Sequence, residues 1–181
     1  MKFFENLDDV NRHSKCLFTL VEVEQSLSGI LAQITADLGD KKPVVLGVMR
    51  GALASLGYLL PRFLFYLEVD YVHASRYQAQ LQTAELSWVH EPHVSLMGRH
   101  VLLVDDILDQ GITLKAIAEK CYALGAVDVK IAVLCKKNIP QFEPAINADY
   151  IALTVPNAYI FGYGMDYEGG WRNAPGIYEL L

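Results

Sequence analysis

The run Val101-Leu102-Leu103-Val104 leads straight into Asp105-Asp106; Asp109 stands three residues further on, followed by Gln110-Gly111-Ile112-Thr113 and helical text. An unbroken aliphatic run suits a strand buried on both faces, which implies a parallel sheet covered by helices on each side. The acids then mark the carboxyl end of that strand. Comparable runs are PVVLGVM (43–49), VKIAVLCKK (129–137) and YIALTV (150–155), and a further strand is expected in FLFYLEVDYVHA (63–74). Between them Leu27, Ile30, Leu31, Ile34 and Leu38 recur at helical spacing up to Gly39-Asp40. Leu53, Leu56, Leu59 and Leu60 form a second helical face ended by Pro61, and Leu114, Ile117, Cys121 and Leu124 a third ended by Gly125. LSWVHE (86–91) reads as the return strand of an antiparallel excursion. Strands alternating with helices specify an α/β fold with a central, mostly parallel twisted sheet flanked by helices.

A chain of 181 residues has room for one domain, 1–181, with a substantial core. Its 52% hydrophobic and 20% charged residues are those of a folded globular protein. A net charge of −6 argues against nucleic acid or an anionic membrane as the main partner. No run approaches the ~18 apolar residues of a membrane span, and MKFFENLDDVNRHSK lacks the apolar segment of a signal peptide. Cys16, Cys121 and Cys135 contain no Cys-x-x-Cys pair, which suits a reducing, cytoplasmic setting. The five histidines show no ligand spacing.

In such sheets ligands bind beyond the carboxyl ends of the strands. Three ends qualify: Met49-Arg50-Gly51, the segment 105–113, and Cys135-Lys136-Lys137. Loop amides at a helix start, Gly111 and the Thr113 hydroxyl favour a phosphate. Three carboxylates beside a phosphate repel it unless they face hydroxyls, a metal ion or a proton in transit. A phosphorylated sugar satisfies both demands: Asp105 and Asp106 accept from its hydroxyls, and Asp109 is free to move a proton. The same pattern also fits a phospho-acceptor domain, or a plain turn with solvated acids. Against the former, the acidic pair follows two earlier strands and a long polar excursion.

The segment VLLVDDILDQGIT (101–113) closely resembles the phosphoribosyl-pyrophosphate (PRPP) signature of type I phosphoribosyltransferases. The similarity to the hypoxanthine-guanine members extends over about 43–173. It implies their fold, with a small hood built from the terminal segments, and Mg²⁺ as cofactor. It implies that Asp105, Asp106, Gln110, Gly111, Ile112 and Thr113 bind PRPP, with Asp109 as general base. VMRGAL replaces the family's pyrophosphate loop, usually Leu-Lys-Gly-Gly, so Arg50 and Gly51 join the PRPP set and the Met49-Arg50 bond is expected to be cis. In NAYIFGYGMDYEGGWRN (157–173), Tyr159 would stack on the purine and Ile160 offer its backbone to the base edge. Asp166 would serve the metal and Arg172 the pyrophosphate. Lys136 matches the lysine directed at the purine 6-oxo group, with Lys137 as a solvated neighbour. SRYQAQLQTAE (75–85) falls where the family has a lid, with Ser75 and Tyr77 as its candidates. The expected activity is transfer of the phosphoribosyl group of PRPP to hypoxanthine or guanine, by a homodimer or homotetramer. The alternatives are another base, xanthine or a pyrimidine, or a PRPP-sensing regulator that binds nucleic acid.

Overall fold

The computed structural model describes residues 4–76 and 86–181. Its centre is a six-stranded sheet built from β2 (Val44–Val48), β3 (Glu68–Arg76), β4 (Leu86–His90), β5 (His100–Leu108), β6 (Asp128–Asn138) and β7 (Tyr150–Pro156), in the order β4-β3-β2-β5-β6-β7. Every neighbouring pair is parallel except β3 with β4, which are antiparallel, as the return strand required. All five residues of β2 are buried, as befits a strand covered on both faces.

One face is covered by α2 (Leu20–Leu38) and α3 (Leu53–Leu59). In α2, Val23, Leu27, Ile30, Ile34 and Leu38 form a buried stripe at helical spacing and pack in one cluster with Val45, Leu102, Val104 and Leu134 of the sheet. The helix begins one turn earlier than its apolar stripe announces, because Thr19 and Glu22 form a reciprocal capping box. The other face carries α4 (Ile112–Ala123), whose Leu114, Ile117, Ala118 and Cys121 pack against Val101, Leu103, Ile131 and Val133. Pro61 falls in a short 3₁₀ turn, Leu60–Arg62, that ends α3. The second strand starts only at Glu68, not at Phe63: Phe63 packs into the core while Leu64 is 93% exposed, so the segment before β3 is a connection.

The hood is a second sheet of three antiparallel strands, in the order β1 (Ser14–Thr19), β9 (Gly176–Leu180), β8 (Ile160–Phe161). Helix α1 (Leu7–His13) leads into it, with Asn6 accepting a hydrogen bond from the Asp9 N–H as its cap. Its core is aromatic: Phe4 stacks on Tyr167, and Phe161 packs on Tyr167 and Tyr178. Tight turns at Gly162–Met165 and Tyr167–Gly170 fold this segment back over the sheet. Three of the four glycines of GYGMDYEGG adopt positive φ, Gly162, Gly164 and Gly169 at +96°, +108° and +80°.

Candidate active site

The carboxyl ends of β2, β5 and β6 lie side by side, since the three strands are parallel neighbours, and the hood turn 162–166 closes over them. Met49-Arg50 is a cis peptide, as the family resemblance implies. Arg50 is exposed, and Gly51 behind it is buried. A side chain at Gly51 would overlap the Asp106 carboxylate, and one at Gly164 would overlap the Gly51 carbonyl. The two glycines therefore let the loop after β2, the end of β5 and the hood turn touch through bare backbone.

Asp105 is only 9% exposed, and its Oδ1 accepts a hydrogen bond from the Asp106 N–H at 2.9 Å. Burial drives its carboxyl well above the usual carboxylate range, and the neighbouring Asp106 charge adds to that. Burial raises Asp106 too, against the lowering pull of Arg172, while Asp166 repels it. A buried acidic pair so placed suits a ligand that brings hydrogen-bond donors or a cation.

The next loop turns at Gly111, φ +74°, which precedes α4 and caps it with no side chain. The loop is buttressed from behind: Ala145 N–H donates to the Gln110 carbonyl at 2.8 Å, and a Cβ at Gly111 would press on the Ile146 backbone. Asp109, at the mouth of this loop, meets Lys137 Nζ at 3.2 Å.

Lys137 is the correction the structure makes to the sequence reading. It is no solvated neighbour: its side chain is 16% exposed and ion-paired. A cavity of about 180 Å³ is lined by Asp106, Ile107, Asp109, Lys137, Tyr159, Ile160, Met165 and Asp166. Lys136 does not line it, but lines an adjoining cavity of about 280 Å³ together with Asp109 and Lys137. Successive residues of a strand leave it in opposite directions, and of the two adjacent lysines only Lys137 reaches the cavity beneath Tyr159. The run before the two lysines is buried at five consecutive positions, Ile131 to Cys135, so it holds no alternation that would have chosen between them.

The hood sorts the aromatic residues of 159–171. Tyr163 and Tyr167 are core, and Trp171 donates its indole N–H to the Phe4 carbonyl at 3.0 Å. Tyr159 is 49% exposed at the cavity, held by its hydroxyl donating to the Asp166 carbonyl and by edge-on contact with Tyr167. Asp166 Oδ1 accepts from Arg172 Nη2 at 2.6 Å, and its Oδ2 from the Gly169 N–H. Arg172 Nη1 in turn donates to the Gly164 carbonyl, so this arginine braces the hood turn. Met165 and Ile107, which line the cavity, carried no sequence signal beyond their apolar character. Ser75 lies near the end of β3 opposite Ser87 of β4, and Tyr77 lies outside the described residues.

Among the described residues no group of three or more His, Cys, Asp or Glu side chains is placed to hold a metal ion by itself. The repelled pair Asp106 and Asp166 nevertheless offers hard oxygen donors of the kind Mg²⁺ shares with waters and substrate oxygens.

Comparison with known proteins agrees with this geometry. The family model described as the phosphoribosyl transferase domain matches residues 16–168. The hypoxanthine-guanine-xanthine phosphoribosyltransferase of Tritrichomonas foetus is 32% identical over 94% of this chain and 92% of its own length. The hypoxanthine-guanine phosphoribosyltransferase of Bacillus subtilis is 32% identical over 90% and 91%. The crystal structure of a Staphylococcus aureus hypoxanthine phosphoribosyltransferase superposes with a TM-score of 0.88 at 27% identity, covering 99% of this chain and 97% of that one. A parallel sheet whose acidic β5 end meets a phosphate-type loop under an aromatic hood, matched along nearly its whole length, makes this chain a member of the phosphoribosyltransferase family, of its hypoxanthine-guanine type.

Proposed function

We propose that the protein transfers the phosphoribosyl group of PRPP to a 6-oxopurine, hypoxanthine or guanine, releasing pyrophosphate and the nucleoside monophosphate. One observation carries this reading: Asp109 opens the phosphate-type loop and at the same time lines the cavity that holds Tyr159, Ile160 and Lys137. A group that serves both substrates must stand where they meet.

The loop amides of 110–113 and the Thr113 side chain take the 5′-phosphate, while Asp105 and Asp106 accept from the ribose hydroxyls. Hydroxyl donors satisfy the oxygens of this buried acidic pair. Tyr159 and Ile107 sandwich the base, and Ile160 presents its backbone to the base edge. Lys137, rather than Lys136, donates to the 6-oxo oxygen, and a cationic donor there selects a keto over an amino purine. Asp109 accepts the N7 proton as the glycosidic bond forms; its pairing with Lys137 keeps both groups at the same edge of the ring. Arg50 and Arg172 counter the charge of the departing pyrophosphate. Asp166, with Asp106, would hold Mg²⁺, which supplies Lewis-acid neutralisation of that leaving group. Ser75 and Tyr77 belong to the lid that keeps water from the electron-poor sugar.

The described helices contain none long and apolar enough to cross a membrane. The three cysteines are unpaired, in keeping with a cytoplasmic enzyme. We take residues 1–181 as one phosphoribosyltransferase domain, working as a homodimer or homotetramer; exposed Leu64 and Tyr66 provide apolar surface for association. Incubation with PRPP, Mg²⁺ and a panel of bases tests the reading. Nucleotide forms with hypoxanthine or guanine and not with adenine; product from a pyrimidine alone, or from no base, would overturn it.

A further inference from the structure

The base cavity continues past Asp109 and Lys137 into the adjoining space of about 280 Å³, whose other walls are Lys136, Asn138, Ile139, Phe142, Pro144 and Thr154. Taken together the two spaces reach the size of pockets that hold small organic ligands, ~300–1,000 Å³. Their charges are unequal. Asp109 is already paired with Lys137. The Lys136 side chain has no hydrogen bond or ion pair with any described residue, and it projects from β6 beside Thr154 of β7 and Leu108 of β5. The outer space therefore holds one uncompensated cation, the Asn138 amide and the Thr154 hydroxyl, with Phe142, 45% exposed, as an apolar rim. A hypoxanthine or guanine placed against Lys137 and Asp109 leaves all of this unfilled.

The geometry points to a second subsite for purines enlarged at the six-position by a short arm that ends in an anionic group, with Lys136 as the residue that selects the anion. This inference rests on the placement of the base edge against Lys137 and Asp109. The arm passes beside the ion pair those two side chains form and along Phe142; its terminal carboxylate meets Lys136, Asn138 and Thr154. No bond is made or broken, so such a purine is a ligand that occupies both cavities and competes with the unextended base.

The probes are 6-(carboxymethylthio)purine and the neutral 6-(methylthio)purine, which share the same sulfur linkage and differ in the terminal acid. Calorimetric titration of the full chain in the presence of PRPP and Mg²⁺ is expected to give about tenfold tighter binding of the acid, the scale of one charge-assisted hydrogen bond. In Lys136→Gln that preference falls to within about twofold, and in Lys136→Arg it returns, since guanidinium also binds carboxylate. Equal or weaker binding of the acid by the wild-type chain overturns the subsite, as does a preference that survives Lys136→Gln. Hypoxanthine turnover is measured beside it. Turnover without acid preference removes the subsite alone, whereas a chain that binds neither probe and forms no nucleotide loses the base site and the subsite together.

Discussion

The two halves of the site are made in different ways. The phosphosugar half is one continuous stretch, 105–113, in which a strand end, a glycine turn and a helix start follow one another. The base half is assembled from the end of β6, the hood turn and β8, separated by some twenty residues of chain and brought together by a second sheet. Contiguous sites carry their geometry in local backbone rules; assembled sites carry it in the register between elements. The former are insensitive to the rest of the fold, and the latter inherit every shift of it.

Asp109 belongs to both halves, so its loss breaks the comparison most sharply. Asp109→Ala is expected to lower kcat by about 10²–10⁴-fold, the range of a general base, while PRPP still binds; near-normal kcat in single-turnover assays removes Asp109 from the mechanism. Next comes the seam. Gly51→Ala drives a methyl group into the Asp106 carboxylate. A displacement on the ångström scale there should cost about 10²-fold in kcat/KM. A variant with wild-type PRPP affinity by calorimetry would show the seam to be slack. Lys137→Gln should weaken base binding by roughly 10–100-fold and blur hypoxanthine against adenine, since it leaves the 6-oxo oxygen without a charged donor. If Lys136→Gln has that effect on unextended bases and Lys137→Gln does not, the assignment of the two lysines is reversed.

The smallest effect is one of stability. With its pKa raised by burial, Asp105 holds its proton more tightly in the folded chain than in the unfolded one. Its contribution is therefore whole below the ordinary aspartate value of 3.8 and drains away as pH rises through the raised value. Asp105→Asn removes that charge while its amide oxygen can still accept from the Asp106 N–H. It should stabilise the ligand-free protein at neutral pH by about 1–3 kcal/mol and raise Tm by about 2–4 °C per kcal/mol, while weakening PRPP binding. A lower Tm at pH 7 would refute the burial cost assigned to Asp105.

The same division explains what could be read before any coordinates. The apolar runs of β2, β5, β6 and β7 and the helical stripes of α2 and α4 were legible because each is a local pattern of one period. The acidic loop was legible because strand, turn and helix start are adjacent in the chain. Lys137 was not, because choosing it over Lys136 needs the parity of β6 relative to the hood, and parity is set by packing. Strand β1 was invisible for a related reason: SKCLFT is largely exposed and becomes a strand only by pairing with β9. The start of β3 was misplaced because FLFYL is as apolar as a strand yet joins none of its neighbours until Glu68.

The placement of β9 between β1 and β8 has a consequence for how the enzyme comes into being. The middle strand of the hood leaves the ribosome after every other described strand, and neither of its neighbours pairs with the other. A nascent chain can assemble its phosphate loop well before residues 176–180 emerge, yet the roof that frames the nucleobase is zipped shut only once they have. Competence for the second substrate thus follows competence for the first in the birth of the molecule.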